Sequence, residues 1–174
     1  MMAVPRHQLP SNVTATIFTM PQTVTFLVGL PGSGKSSFLK QRAELVFDDF
    51  HADAFRDSSA FTASRCYLPL RDALQRGDDR IVADIAFCTV ERLQAAHNGV
   101  RLLGDGLGID LKIAHLYFAN DANACRHNVV HRFSREPRRD YLAELRNIDE
   151  LGKFYHPPPS CIPVQTCFAK PNSL

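Results

Sequence analysis

Apolar positions along the chain keep two rhythms. Short, nearly continuous apolar runs occur at Val24–Val28, Leu45–Phe47, Arg80–Phe87 and Ile109–Phe118, with an alternating one at Cys161–Thr166. Runs of this length, rich in β-branched and aromatic residues, predict strands, most of them buried on both faces. Between them the apolar residues recur at helical spacing. The pattern predicts helices over Lys35–Glu44, Tyr67–Arg76, Thr89–Leu103, Asp121–Phe133 and Arg139–Tyr155. Thr89 is placed to cap one start, Gly77 to cap one end, and Pro157–Pro159 to stop the last helix. Gly104, Gly106 and Gly108 predict a loop. Strand alternating with helix implies right-handed crossovers. The expected fold is therefore α/β, a five-stranded parallel sheet between two helical layers.

The first 21 residues carry Pro5, Pro10 and Pro21 without periodicity and read as a flexible tail, leaving 22–174 as one domain. Ala52–Arg65 is polar and weakly patterned, a short helix and loop at most. A chain of 174 residues, 45% hydrophobic and 22% charged, has ordinary globular composition. Its net charge of +2 says little about partners, since a nucleic-acid binder usually shows a stronger or more clustered excess. No apolar run approaches the length that crosses a bilayer, and the N-terminus lacks a basic start with an apolar stretch behind it. The five cysteines are odd in number, scattered and without a C-x-x-C pair. They read as reduced, mostly buried thiols of a cytoplasmic protein rather than as a disulfide or zinc framework.

One stretch carries explicit chemistry. GLPGSGKS follows the first strand directly and opens the first helix. Gly29, Gly34, Lys35 and Ser36 satisfy the spacing of a phosphate-binding loop at every fixed position, in the strand–loop–helix setting that the motif requires. Glycines let the backbone approach a phosphate, and successive N–H groups then make an anion cradle. Gly32, Ser33, Gly34, Lys35, Ser36 and Ser37 are the expected contacts, with Lys35 on the β/γ-phosphates and Ser36 on Mg²⁺.

Acids close two of the strands. Asp48 and Asp49 follow Phe47, at the edge where open parallel sheets bind ligands. They suit a general base and a metal or orienting group, or otherwise a helix N-cap followed by a first-turn acid. Asp84 follows Ile81–Ala83 and suits the Mg²⁺ shell, or a cap, or both. Arg56 and Arg65 could hold an anionic acceptor or simply be solvated. His115 reads as a core histidine. Arg126, Arg132, Arg135, Arg138 and Arg139 cluster with Glu136 as the only acid among residues 126–139. Behind a phosphate loop this suggests a lid, on Arg132 above all, whose planar fork suits phosphate oxygens. A solvated basic face or a nucleic-acid patch is the alternative.

GLPGSGKSS, VFDDFH, IVADIAF, LYFANDANACRHNVVHR and KFYHPPPSCIPV together resemble the P-loop kinases of the polynucleotide-kinase type, relatives of nucleoside-monophosphate kinases and zeta toxins. The resemblance covers about residues 23–168. It implies ATP with Mg²⁺ as phosphoryl donor, Asp48 as general base beside Asp49, Asp84 at the metal, and Arg132, seven positions after Cys125, as the lid arginine. The polynucleotide kinases carry an arginine three positions after the base, and His51 stands there instead. Asp49, His51 and Arg56 are thus the expected acceptor-side residues. The acceptor itself stays open among nucleic-acid ends, nucleosides, sugar nucleotides and small metabolites. A nucleotide-dependent switch acting through a partner, and a nucleic-acid-binding module using Arg126–Arg139, are the rival readings.

Overall fold

A computed structural model of the chain describes residues 21–40, 45–47 (as backbone only), 67–137 and 140–167. Among them the strands are β1 (Gln22–Val28), β2 (Leu45–Phe47), β3 (Arg80–Ala83) and β4 (Leu111–Tyr117). The α-helices are α1 (Lys35–Leu39), α2 (Tyr67–Gln75), α3 (Val90–Leu107), α4 (Ala122–Phe133) and α5 (Tyr141–Leu151). The strands form one parallel sheet in the order β2-β3-β1-β4. Registers run Leu27 against Ala83 and against Leu116, and Phe47 against Val82, so the strands end along one edge.

β1 is the centre of the core because both of its faces are covered. Val24, Phe26 and Val28 point to one side, into a cluster with Leu70 and Leu74 of α2, Ala96, Val100 and Leu103 of α3, Cys125 and Val129 of α4 and Ile148 of α5. Leu27 points to the other side, with Ile81, Ala83, Phe118 and Leu39 of α1. The period-two alternation of a strand thus sorts one apolar run into two packed layers. Among the described residues no helix is long and apolar enough to cross a membrane.

Four expectations are corrected. The third strand stops at Ala83 rather than reaching Phe87, because the Asp84 side chain accepts from the Ala86 N–H at 2.8 Å and starts a 3₁₀ turn, Ile85–Cys88. Helix α3 runs through Gly104 and Gly106 to Leu107, where a loop was expected. Gly108, at φ 67°, is the left-handed cap that ends it. The predicted fifth strand is reduced to a single parallel bridge, Phe118 with Ile162, on the free side of β4. The last helix spans Tyr141–Leu151 and not Arg139–Tyr155, because Asp140 caps its start by accepting from the Ala143 N–H at 3.0 Å and a turn follows Leu151.

Candidate phosphate-binding site

At the carboxyl edge of β1 the chain turns sharply. Ser33 N–H donates to the Leu30 carbonyl at 3.1 Å, with Pro31 and Gly32 at the corners and Gly32 at φ 76°. Proline second and a positive-φ glycine third make a type II turn. Gly34 follows at φ 100° and is the N-cap of α1. Two left-handed positions within three residues suit glycine and disfavour side chains. Gly29 is required by space instead. A Cβ there would stand 2.8 Å from Ser33 Oγ and 2.9 Å from Phe118 Cβ.

Lys35 folds back over this loop, its Nζ donating to the carbonyls of Gly29 at 2.5 Å and Leu30 at 2.9 Å. A cation is thereby held against the start of the loop. Ser36 and Ser37 are exposed. Ser33 is buried, and its hydroxyl has no hydrogen-bond partner, an orphaned polar atom in the middle of the loop. Asp84 follows the last paired residue of β3 and is buried, its Oδ1 engaged by Ala86 N–H. It caps the 3₁₀ turn and also stands at the sheet edge beside the loop.

Two thiols lie close to the lysine. Burial pushes Cys88 up to about 12, opposed by the Lys35 charge and by the Gly29 N–H. Burial likewise raises Cys125 to about 11, again opposed by Lys35. Both stay protonated at neutral pH and are packing groups rather than nucleophiles. Cys161 is half-buried and Cys167 exposed, so only Cys88 and Cys125 among the described cysteines are buried as expected.

Helices α4 and α5 form an antiparallel hairpin across the loop. Arg132 pairs with Glu144, Arg126 with Asp149, and the rings of Phe133 and Tyr141 stack with centroids 4.2 Å apart. One guanidinium nitrogen of Arg132 is thus engaged by α5. Below it, Asn128 donates through Nδ2 to the carbonyls of Gly32 at 2.9 Å and Gln165 at 2.8 Å, and accepts from the Cys167 N–H at 2.7 Å. Tyr155, buried, has its hydroxyl 2.5 Å from the Phe118 carbonyl and 3.1 Å from that of Val28, sharing its proton across the ends of β4 and β1. Burial above all raises its pKa. Asn120 Nδ2 ties the end of α5 to this edge through Gly152 O and Tyr155 O, both at 2.8 Å.

The structure therefore brings together Gly32, Ser33, Gly34, Lys35, Ser36, Ser37 and Asp84 at one sheet edge, with Arg132 on the neighbouring hairpin. Asp48, Asp49, His51, Arg56, Arg65, Arg138 and Arg139 lie outside the described residues, as does the N-terminal tail up to residue 20. Sequence reading passed over Asn128, Tyr155 and Glu144. One signal was present: the buried stripe of α4 is Ala124, Cys125, Asn128 and Val129, and an asparagine in such a stripe needs partners. Among the described residues no group of three His, Cys, Asp or Glu side chains could hold a metal ion. A hydroxyl and a carboxylate, Ser36 and Asp84, are still the hard oxygen donors that Mg²⁺ takes when phosphate oxygens and water complete its shell. No protein-family model matches the chain, and no curated protein matches it.

Proposed function

We propose that the chain is an ATP- and Mg²⁺-dependent phosphotransferase that moves the γ-phosphoryl group to a hydroxyl acceptor, on a P-loop kinase sheet whose fifth strand is seeded at Ile162. One observation carries the reading. The GLPGSGKS loop has glycines at positive φ at Gly32 and Gly34, and Lys35 Nζ rests on its carbonyls. Left-handed glycines and a cation at these offsets, next to a strand that closes on Asp84, support a loop that takes an anion. Such an anion exchanges easily with the carbonyls now holding Lys35, since a phosphate offers charge where they offer only dipoles.

In this reading the acceptor hydroxyl gives its proton to the Asp48 carboxylate as its oxygen attacks the γ-phosphorus. The bond from phosphorus to the β–γ bridging oxygen breaks, and ADP leaves with that electron pair. Lys35 and Arg132 neutralise charge on the transferring group, and Asp49, His51 and Arg56 bind the acceptor. Ser36 and Asp84 would hold Mg²⁺, which when bound offsets phosphate charge. Positioning and electrostatics supply the rate, since phosphoryl transfer asks little covalent work of the protein.

The test is transfer of labelled γ-phosphate to oligonucleotide 5′-hydroxyls, nucleosides and sugars, with direct titration of MgATP beside it. Lys35→Ala should lower ATP affinity by about 10-fold or more, and Asp48→Asn should lower transfer by about 10²–10⁴-fold with ATP binding retained. Transfer near the wild-type rate in Asp48→Asn removes the base assignment. Label released to water regardless of acceptor favours a nucleotide switch.

A further inference from the structure

Asn128 sits on α4 with only 7% of its surface exposed. Its carboxamide makes three of the four hydrogen bonds open to it, and each goes to backbone. One reaches the phosphate loop at Gly32, and two reach the C-terminal segment at Gln165 and Cys167. Residues 32, 128 and 165–167 are far apart in the chain, so no local turn accounts for the junction.

The bond to Gly32 matters because of where that glycine stands. A peptide plane moves as a unit. The plane from Gly32 to Ser33 is held at both ends, its carbonyl by Asn128 and its N–H by Leu30 O. Gly32 itself, at φ 76°, has the conformational freedom to let that plane rotate. Rotation would swing a carbonyl dipole toward the place an anion occupies. Close packing at the same point comes from α4 as well: a Cβ on Gly32 would lie 2.3 Å from the Cys125 carbonyl.

We infer that Asn128 is a positioning residue that fixes the phosphate loop and makes its geometry depend on the C-terminal segment Gln165–Cys167. The inference rests on the reading of the loop as a phosphate site. Only an amide of this length supplies two donors on one atom and an acceptor on the other. Aspartate keeps the shape and loses both donors, setting a carboxylate against two carbonyls. Cys167→Pro leaves Asn128 in place and removes the N–H that its oxygen accepts, while also fixing φ at residue 167.

The experiment measures affinity for MgATP and for inorganic tripolyphosphate by titration calorimetry, with melting temperatures alongside. Asn128→Asp should lose affinity for both ligands by about 10-fold or more. Cys167→Pro, a substitution in an exposed segment, should lose affinity for both by about 2-fold or more while melting near wild type. A structural role alone would lower the melting temperature and leave the affinity of the folded fraction unchanged. Wild-type affinity in Cys167→Pro, with Asn128→Asp either unfolded or unchanged in affinity, overturns the inference and leaves the ATP reading intact. A wild-type protein that binds neither ligand removes that reading and the inference together.

Discussion

Glycine performs two different jobs in this chain, and the two respond oppositely to the same substitution. At Gly32 the backbone is left-handed and a Cβ would meet the Cys125 carbonyl at 2.3 Å, a backbone atom that has nowhere to go. Gly32→Ala should therefore destabilise the protein by more than the ~1–2 kcal/mol that the left-handed conformation alone costs an L-residue. It should also weaken MgATP binding, because the loop is the part displaced. At Gly106 the residue is inside α3, exposed, with open space around a built Cβ. Gly106→Ala should stabilise by about 0.4–1 kcal/mol, by restricting the unfolded chain and improving helix propensity. Chemical denaturation of both variants checks the pair. Equal and opposite behaviour is not required, but a stabilised Gly32→Ala would contradict the loop geometry. The same contrast explains a misreading of sequence. Gly104, Gly106 and Gly108 look alike as letters, yet a Cβ at Gly104 would collide with the Leu111 side chain, one at Gly106 would meet open space, and of the three only Gly108 is a left-handed cap.

Elements were legible where local pattern and tertiary packing agree. Tyr67–Gln75 and Ala122–Phe133 match their apolar rhythm closely, since buried faces dictate both, and Leu45–Phe47 forms a strand where its short apolar run predicts one. Asp84 was legible as the acid that closes a strand, but the 3₁₀ turn behind it was not, because Ile85, Ala86 and Phe87 stay apolar while a single side-chain acceptor turns the chain. The loop itself was readable because its glycines and lysine sit at fixed offsets. Its supports were not, since Asn128, Tyr155 and Glu144 act across 96, 127 and 12 residues of sequence. The α4–α5 hairpin shows what such distance hides. A basic cluster reads as a lid, and one guanidinium nitrogen of Arg132 pairs with Glu144, in the first turn of α5. Both partners are partly exposed, so Glu144→Gln should change stability by no more than ~1 kcal/mol. In the kinase reading it also releases Arg132 to the nucleotide, so KM for ATP should fall or kcat rise. Steady-state kinetics with a melting curve separates the two effects. A drop in kcat/KM without loss of stability would show that the pair orients Arg132 rather than withholding it.

At the scale of the molecule, one cluster joins the central strand, the edge strand and the longest described helix. Phe26 of β1 stacks on His115 of β4 at 5.6 Å, and His97 of α3 stands edge-on to both, 6.1 Å from Phe26 and 5.6 Å from His115. Tyr117 stacks on the outer side of His115 at 5.8 Å. The sequence identified His115 as a packed histidine; that His97 meets it became visible only once α3 was laid on the sheet. His97 Nε2 is buried without a hydrogen-bond partner, so the neutral ring already carries an unmet polar atom. Protonating it would add a charge there. Burial lowers the His97 pKa first, with the Arg101 charge and His115 adding to it, and burial alone lowers His115. Both groups therefore hold fewer protons folded than unfolded as pH falls below 6.5, their ordinary value. Stability then rises with pH, because the unfolded state binds the extra protons. The contribution is complete above pH 6.5 and is lost progressively on acidification toward the lowered folded values. His115→Phe keeps an aromatic ring between Phe26 and Tyr117 and removes one titrating group, so its melting temperature should depend less on pH below 6.5 than that of the wild type. Thermal melts of the two proteins at closely spaced pH values make the comparison. Parallel curves through that window would mean that the acid sensitivity lies in groups other than His115.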